Sequence, residues 1–593
     1  MPIHKAPTSK KSSVHNPALL RQHALVENLK PRVDEGQFPV KAVPGESIEV
    51  TADIFRDGHE KCEADLLYRR KGVKSWLRSP MRFVDNDLWA GEFVVDQLGH
   101  WEFTIEARTL LRPGYEPYAA FEEPYLHPHF GTIRVDPALV EYSAWYEMFA
   151  RSQGTVPGKS ATFSDMERRL VEIKTMGFDL IYLPPIHPIG RTKRKGKNNS
   201  VTAKPGEPGS PYAIGAIEGG HKTVHPELGT LEDCRRFFRR CKEMGFGVAL
   251  DFALNCSPDH PYAKEHPDWY YREPDGSIRC AENPPKRYED IFPLNFFCAD
   301  RENLWLELKS IIDFWVEMGV TVFRVDNPHT KPFAFWEWLI AEVKSKRPDV
   351  AFLAEAFTRP KIMKRLAKVG FDMSYTYFTW RTTAAELREY CEELTQQEPS
   401  LYMKPVFFPT TPDILPWHLQ NASREVFKIR FALACTLVGT YGMYNGYELC
   451  DNLPYPGKEE GLNSEKYEYK VWDWNKPGNI KDFIQDLNRI RREHPALHKL
   501  KNLRFHSCSN PEILCYSKAE GEDVLLFVVN LDSKNRQGGM VTLDRQSLRI
   551  SHEQIYGVHD LLTGESYVWS GQRNFVELDP AKEVLHVFKI ERF

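Results

Sequence analysis

From about Val40 to Val135, apolar residues alternate with polar ones in short runs, such as Ser47-Ile-Glu-Val-Thr-Ala-Asp-Ile-Phe and Gly99-His-Trp-Glu-Phe-Thr-Ile-Glu-Ala. Turn pairs such as Asp57-Gly58 and Asp85-Asn86 separate them. Period-two runs with regular turns predict an antiparallel β-sandwich over 40–136, behind a polar, basic lead-in at 1–39. The segment from Leu110 to Phe130 is rich in Pro, Tyr and Glu and reads as a covering loop.

Past Asp136 the rhythm changes. Continuous apolar runs at 144–149, 178–184, 245–255, 320–326, 350–357, 373–378, 404–410 and 441–447 read as buried parallel strands. Helix-period segments at 164–174, 230–243, 301–317, 333–346 and 424–437 stand between them, the first opened by a Ser164/Glu167 capping box. Eight such alternations predict the α/β class and a closed (β/α)₈ TIM barrel over 137–500. Two connections, 187–230 and 256–300, are too long for simple turns and are expected to fold over the barrel mouth as lids. From about Leu503 the short alternating strands return, giving a C-terminal antiparallel sandwich over 501–593.

Three barrel strands lead into carboxylates. The run Val-Thr-Val-Phe-Arg-Val-Asp ends at Asp326, with Arg324 two residues earlier on the same face of the strand. An arginine so placed holds a carboxylate ionised and oriented, although an isolated pair of this kind reads first as a structural ion pair. The next strand ends at Glu355, among Ala354, Ala356 and Phe357, where desolvation raises a carboxyl pKa. Asp413 follows in Thr-Thr-Pro-Asp, which is also good turn chemistry. Functional groups of such barrels gather at the carboxyl ends of the strands. Retaining glycosyl transfer needs a carboxylate nucleophile and a second carboxyl serving as acid and then base, about 5–5.5 Å apart. Asp326 suits the first task, Glu355 the second, and Asp413 the holding of sugar hydroxyls.

Composition narrows the alternatives. The 593 residues exceed one core, are 42% hydrophobic and 27% charged, and carry a net charge of −4. That balance gives no sign of nucleic-acid binding, and no stretch is long and apolar enough to cross a membrane. The N-terminal residues lack an apolar h-region, and the 11 cysteines show no CxxC or zinc-like spacing. A cytoplasmic protein with reduced thiols is expected. The basic run Lys193-Arg-Lys-Gly-Lys197 is most often a solvated or nucleic-acid-binding patch, but beside Asn198-Asn199 in a lid loop it is expected to frame an anionic ligand.

Four short regions, Asp251-Phe-Ala-Leu-Asn255, Phe323-Arg-Val-Asp326, Ala354-Glu355 and Thr411-Pro-Asp413, resemble those of the α-amylase superfamily. Ala144-Trp-Tyr-Glu-Met-Phe-Ala-Arg-Ser, Leu183-Pro-Pro-Ile-His-Pro-Ile-Gly, Glu282-Asn-Pro-Pro-Lys-Arg-Tyr288 and Ser464-Glu-Lys-Tyr467 narrow the resemblance to the α-1,4-glucan:maltose-1-phosphate maltosyltransferase family. The resemblance implies transfer of maltosyl units from α-maltose-1-phosphate to the non-reducing end of an α-1,4-glucan, a glycogen-type elongation that releases phosphate through a β-maltosyl-enzyme. It implies Asp326 as nucleophile, oriented by Arg324, Glu355 as acid/base and Asp413 as transition-state stabiliser. It maps phosphate contacts to Asn283, Lys286, Tyr288 and Asn327, and donor-sugar contacts to Lys195, Asn255, Lys466 and Tyr467. No cofactor and no metal are called for, and a homodimer is implied. Asn255 departs from the family's usual glutamine, Thr410 from asparagine and Ala150 from proline, and the helical insertion that shapes the family's dimer surface is missing between Ala107 and Val135. Two rivals stand beside this expectation: another superfamily hydrolase or 4-α-glucanotransferase, and a non-catalytic glucan-binding protein.

Overall fold

The computed structural model of the 593-residue chain describes residues 22–110, 123–283, 286–551 and 554–592. The chain divides into two compact units, Met1–Val135 and Asp136–Phe593. In the first, one sheet orders the strands Ala24–Lys30, Glu46–Arg56, Leu88–Val95 and Arg82–Asp85. The other runs Val40–Ala42, Gly131–Val135, Gly99–Leu110, Lys61–Arg70 and Leu77–Pro80. Val50, Ile54, Leu66, Phe93, Phe103 and Ile105 are buried, as the alternation requires. The lead-in is shorter than expected, because Ala24–Lys30 already pairs with Glu46–Arg56. Its register shifts between Glu27 and Lys30, and Asn28 has a positive φ. That irregularity breaks the two-residue period by which a strand is recognised. Most of the expected covering loop falls on residues 111–122, outside the described residues.

The second unit holds the closed barrel. Its strands are β1 (Ser143–Glu147), β2 (Leu180–Leu183), β3 (Gly247–Phe252), β4 (Val322–Asp326), β5 (Ala351–Glu355), β6 (Met373–Tyr375), β7 (Lys404–Phe407) and β8 (Thr440–Tyr444). All pairings are parallel, and β8 closes on β1. Both faces of each strand are covered, so the strands read as near-continuous apolar runs. The apolar runs overshoot the strands at their carboxyl ends. After Phe252, for example, Asn255–Cys256 turns to pair antiparallel with Phe292–Pro293. That pairing anchors the 256–300 connection at the mouth, and the same connection carries the hairpin Ala281–Asn283 with Lys286–Tyr288.

Helices Phe163–Thr175, Leu231–Glu243, Arg301–Met318, Phe333–Lys346 and Arg424–Leu437 fall where the period placed them, joined by Pro360–Val369, Ala384–Gln396 and Lys481–Glu493. The first cap is corrected. Thr162 and Asp165 form the capping box, while Ser164 lies inside the helix and accepts from Arg236. Aspartate at the third helical position closes the reciprocal pair as glutamate would. In the C-terminal part, eight strands form a sheet in which Leu503–Cys508 pairs on one side with Ile513–Glu520 and on the other with Gln537–Thr542. Among the described residues no helix is long and apolar enough to cross a membrane.

Candidate active site

Adjacent parallel strands place Asp326 directly opposite Glu355. Because residues two apart share a face, Arg324 reaches past its own strand to both acids. Its Nη1 donates to Asp326 Oδ1 at 3.0 Å, and its Nη2 lies 3.0 Å from Glu355 Oε1. The same Nη1 also donates to Asp251 on β3, at 3.0 and 2.8 Å. Tyr182 and Tyr212 donate to Asp251 Oδ2 at 2.9 and 3.0 Å. One buried guanidinium is thus gripped by three carboxylates from three consecutive strands. Double displacement needs two carboxyls close together, about 5–5.5 Å apart, and sharing one guanidinium keeps Asp326 and Glu355 neighbours.

The two acids are driven apart electrostatically. Burial by itself would raise Asp326, but the Arg324 guanidinium and the Lys331 and Lys466 amines outweigh it and hold the carboxyl below the ordinary carboxylate range. Asn255 and Asn327 donate to its Oδ2 at 3.0 and 3.3 Å, favouring the charged form. Burial pushes Glu355 up to about 8, against the pull of Arg324 and with the push of Asp326 and Asp413. Neighbouring carboxyls separated in this way can serve as an ionised nucleophile and a proton donor.

A cavity of about 240 Å³ opens at Asp326, and Glu355 is not among the residues that line it. It is lined by Asp326 and by Lys195, Asn255, Tyr288, Asn327, Asp413, Lys466 and Tyr467, all expected from the sequence. Asp413 occupies a tight turn bridged by Thr411 and Ile414 and ion-pairs with Lys466, so its turn chemistry is what presents it to the cavity. Lys466 also lies 4.7 Å above the Tyr212 ring. The side chains of Asn283 and Lys286 fall outside the described residues. The basic run is largely consumed internally: Lys195 pairs with Glu289, Arg194 donates to the carbonyls of Ile189 and Gly190, and Lys197 pairs with Glu468. Of that run, only Lys195 lines the cavity.

Five contributors were not singled out from the sequence. Asp251, pushed up to about 6 by burial, anchors Arg324. Tyr212 arrives from the first lid loop, Lys331 donates weakly to the Asp326 and Asn327 carbonyls, and Asp290 lines the cavity. Glu147 at the end of β1 is buried, and burial above all pushes its carboxyl well above the ordinary carboxylate range. Asp251 and Glu147 carried a usable signal, since each is a carboxylate inside an otherwise apolar barrel-strand run. Tyr212 carried none.

One convergent set of metal-type donors exists among the described residues: His221, Cys256 and His260. Their hydrogen bonds already use the ring nitrogens. The Tyr262 amide donates to His260 Nδ1 at 3.1 Å, so that ring carries its proton on Nε2 and donates to His221 Nδ1 at 3.1 Å. His221 Nε2 then donates to the Ala253 carbonyl at 2.9 Å. Burial pushes both imidazoles down to about 3 and the Cys256 thiol up to about 12, so the trio stays neutral and protonated. A relay with every ring nitrogen spent is a structural brace, and it fixes Ala253 two residues before Asn255. Gly215, at φ +104°, packs against it; a Cβ there would meet the His260 ring at 2.3 Å.

Comparison with known proteins agrees with this geometry. The family model described as α-1,4-glucan:maltose-1-phosphate maltosyltransferase, domain N/S, matches residues 22–109, and one described as GLGE, C-terminal, matches residues 505–590. The chain is 43% identical to the α-1,4-glucan:maltose-1-phosphate maltosyltransferase of Chlorobaculum tepidum, covering 96% of this chain and 97% of that one. It is 44% identical to the protein of the same name from Rhodospirillum rubrum, covering 95% of each. Among solved structures, a maltogenic α-amylase from Thermotoga neapolitana superposes with a TM-score of 0.61 at 20% identity over 77% of this chain, which speaks to the fold. With an α-amylase-type barrel, two electrostatically separated acids on paired strands, and relatives this similar along nearly its whole length, the chain belongs to the α-1,4-glucan:maltose-1-phosphate maltosyltransferase family.

Proposed function

We propose that this enzyme transfers maltosyl units from α-maltose-1-phosphate to the 4-hydroxyl at the non-reducing end of an α-1,4-glucan, with retention. The observation that carries the reading is the pair Asp326 and Glu355, opposite each other, sharing Arg324, and pulled to different protonation states. Asp326 attacks the anomeric carbon as its bond to phosphate breaks, giving a β-maltosyl ester. Glu355 gives its proton to the oxygen of the departing phosphate and is left as a carboxylate. The ester neutralises Asp326, which removes a negative neighbour and lets Glu355 ionise more easily. As a carboxylate it then takes the proton of the incoming hydroxyl, whose oxygen attacks the anomeric carbon and frees Asp326. Lys195, Lys331 and Lys466 line the cavity and offset the charge of the donor phosphate. Asp413, with Lys466, is assigned to the sugar hydroxyls.

Phosphate release from α-maltose-1-phosphate, followed with and without maltohexaose, tests this. Acceptor-dependent release with products longer by two glucose units is expected. Shuffling or hydrolysis of maltohexaose alone would favour an ordinary amylase-type enzyme, and neither activity would favour a glucan-binding protein.

The pH dependence has a defined sign. Below its pKa of about 8, Glu355 is protonated in the free enzyme and can serve as the acid. Above it, the acid is lost and a second negative charge repels the anionic donor. The kcat/KM for donor is therefore expected to fall as pH rises through about 8. It falls again at low pH, where Asp326 takes up a proton. A flat profile up to high pH would remove Glu355 from the acid role.

The proposal extends to glycogen-type elongation in a reducing, cytoplasmic setting, which the free state of the cysteines supports. It includes a homodimer, as the family resemblance implies, to be checked by sedimentation. The catalytic barrel is assigned to 137–500 and the C-terminal sandwich to 501–593.

A further inference from the structure

Lys466 lines the cavity and pairs with Asp413, yet the segment that carries it, residues 464–467, is neither helix nor strand. Its backbone is held by an arginine that is not among the residues lining the cavity. Arg151 stands in the single 3₁₀ turn Ala150–Ser152 after β1 and is buried. Its Nε and Nη2 donate to the Glu465 carbonyl at 3.0 and 2.9 Å, and Nη2 also donates to the Lys466 carbonyl at 2.6 Å. The same Nη2 reaches the Gly209 carbonyl, in the first long connection, at 2.8 Å. Ser210, the next residue, lines the cavity, and Tyr212 beyond it donates to Asp251. One guanidinium thus joins two walls of the cavity that come from opposite ends of the barrel sequence.

Other groups continue this seam. Asn198 Oδ1 accepts the Asn463 amide at 2.9 Å, Lys197 Nζ lies 2.9 Å from Glu468 Oε1, and Tyr469 Oη donates to Glu227 Oε2 at 2.7 Å. The buried Glu465 carboxyl accepts from Asn445 at 2.7 Å, from Trp472 at 3.1 Å and from Tyr444. The basic run therefore serves the seam at Lys197 rather than framing an anion there. Arg151 is the costly member, because it buries a charge against backbone carbonyls. Burial pushes its pKa down to about 10, which leaves it charged at neutral pH. A guanidinium suits this place because its planar fork of donors can hold three carbonyls at once.

We propose that Arg151 is a positioning residue for donor binding: by holding the Glu465 and Lys466 carbonyls against Gly209, it sets where the Lys466 amine meets the donor sugar. This inference rests on Lys466 as a donor contact.

The test reads phosphate release with α-maltose-1-phosphate varied at fixed maltohexaose. For Arg151→Lys, the donor KM is expected to rise about tenfold, the scale of one hydrogen bond to a charged group, with kcat within about threefold and the KM for maltohexaose unchanged. The lysine amine keeps the charge but cannot span the three carbonyls. Arg151→Gln, which removes the buried charge and keeps one amide donor, is the second variant, and a thermal melt establishes that each is folded. Coupling to Lys466 is the readout that a general packing role would not move. In a Lys466→Met background, Arg151→Lys should raise the donor KM by less than about twofold. The proposal is overturned if the two effects multiply, if donor and acceptor KM rise together, or if a folded variant keeps the parent's donor KM. A wrong assignment of Lys466 shows separately, as Lys466→Met leaving the donor KM where it was.

Discussion

Asp326→Ala is expected to lower acceptor-dependent phosphate release by about 10⁴-fold or more, the scale on which removing a covalent nucleophile acts. The carboxylate is held ionised against its burial by Arg324, two lysine amines and two asparagine amides. None of these donors can replace it in forming an ester. The fold should survive, because Arg324 keeps Asp251 at 2.8 Å and Glu355 at 3.0 Å, so no buried charge is orphaned. Steady-state phosphate release, read beside a thermal melt, separates the two effects. Activity within about tenfold of the parent would sink the nucleophile assignment.

Glu355→Gln is expected to separate the two half-reactions. A phosphate monoester carries its own proton below its second pKa of about 6, so at mildly acidic pH its departure can proceed, slowly, without the proton Glu355 supplies. The sugar hydroxyl that attacks in the second step is far less acidic and requires the base. The variant should therefore still form the maltosyl ester on Asp326, slowly, and then stall. Transfer to maltohexaose should drop by about 10²- to 10⁴-fold, the usual share of general acid–base catalysis. Intact-protein mass spectrometry after mixing with α-maltose-1-phosphate should show a mass increase of one maltosyl unit, and the basic limb of the pH profile should vanish. A variant that turns over without accumulating the ester would place the base elsewhere.

Much of this centre was legible beforehand, for a physical reason. A parallel strand buried on both faces is a continuous apolar run, and any carboxylate at its end is conspicuous. Asp326 and Glu355 announced themselves in that way, and the two-residue period tied Arg324 to Asp326. Side-chain alternation could not say that Arg324 would also grip Asp251 and Glu355. Those contacts depend on the registers that bring Asp251 opposite Arg324 and Asp326 opposite Glu355. The lysine run was the reverse case. It looked like a frame for an anion, yet most of its charge is answered by Glu289 of the second long connection, by Glu468 and by backbone carbonyls. Strand Ala24–Lys30 went unread because its register shift hides the alternation.

Local pattern alone thus settled the barrel, the flanking sheets and which two acids end adjacent barrel strands, since burial on two faces and strand periodicity are written into neighbouring residues. Tertiary structure alone decided which acid is charged, because burial and the summed field of Arg324, Lys331, Lys466 and Asp413 come from segments far apart in the chain. It also decided that Asp413 faces Lys466 and that Tyr212 reaches Asp251. Loops from different strands meet only once the barrel closes, and no period within any one of them records where the others will be.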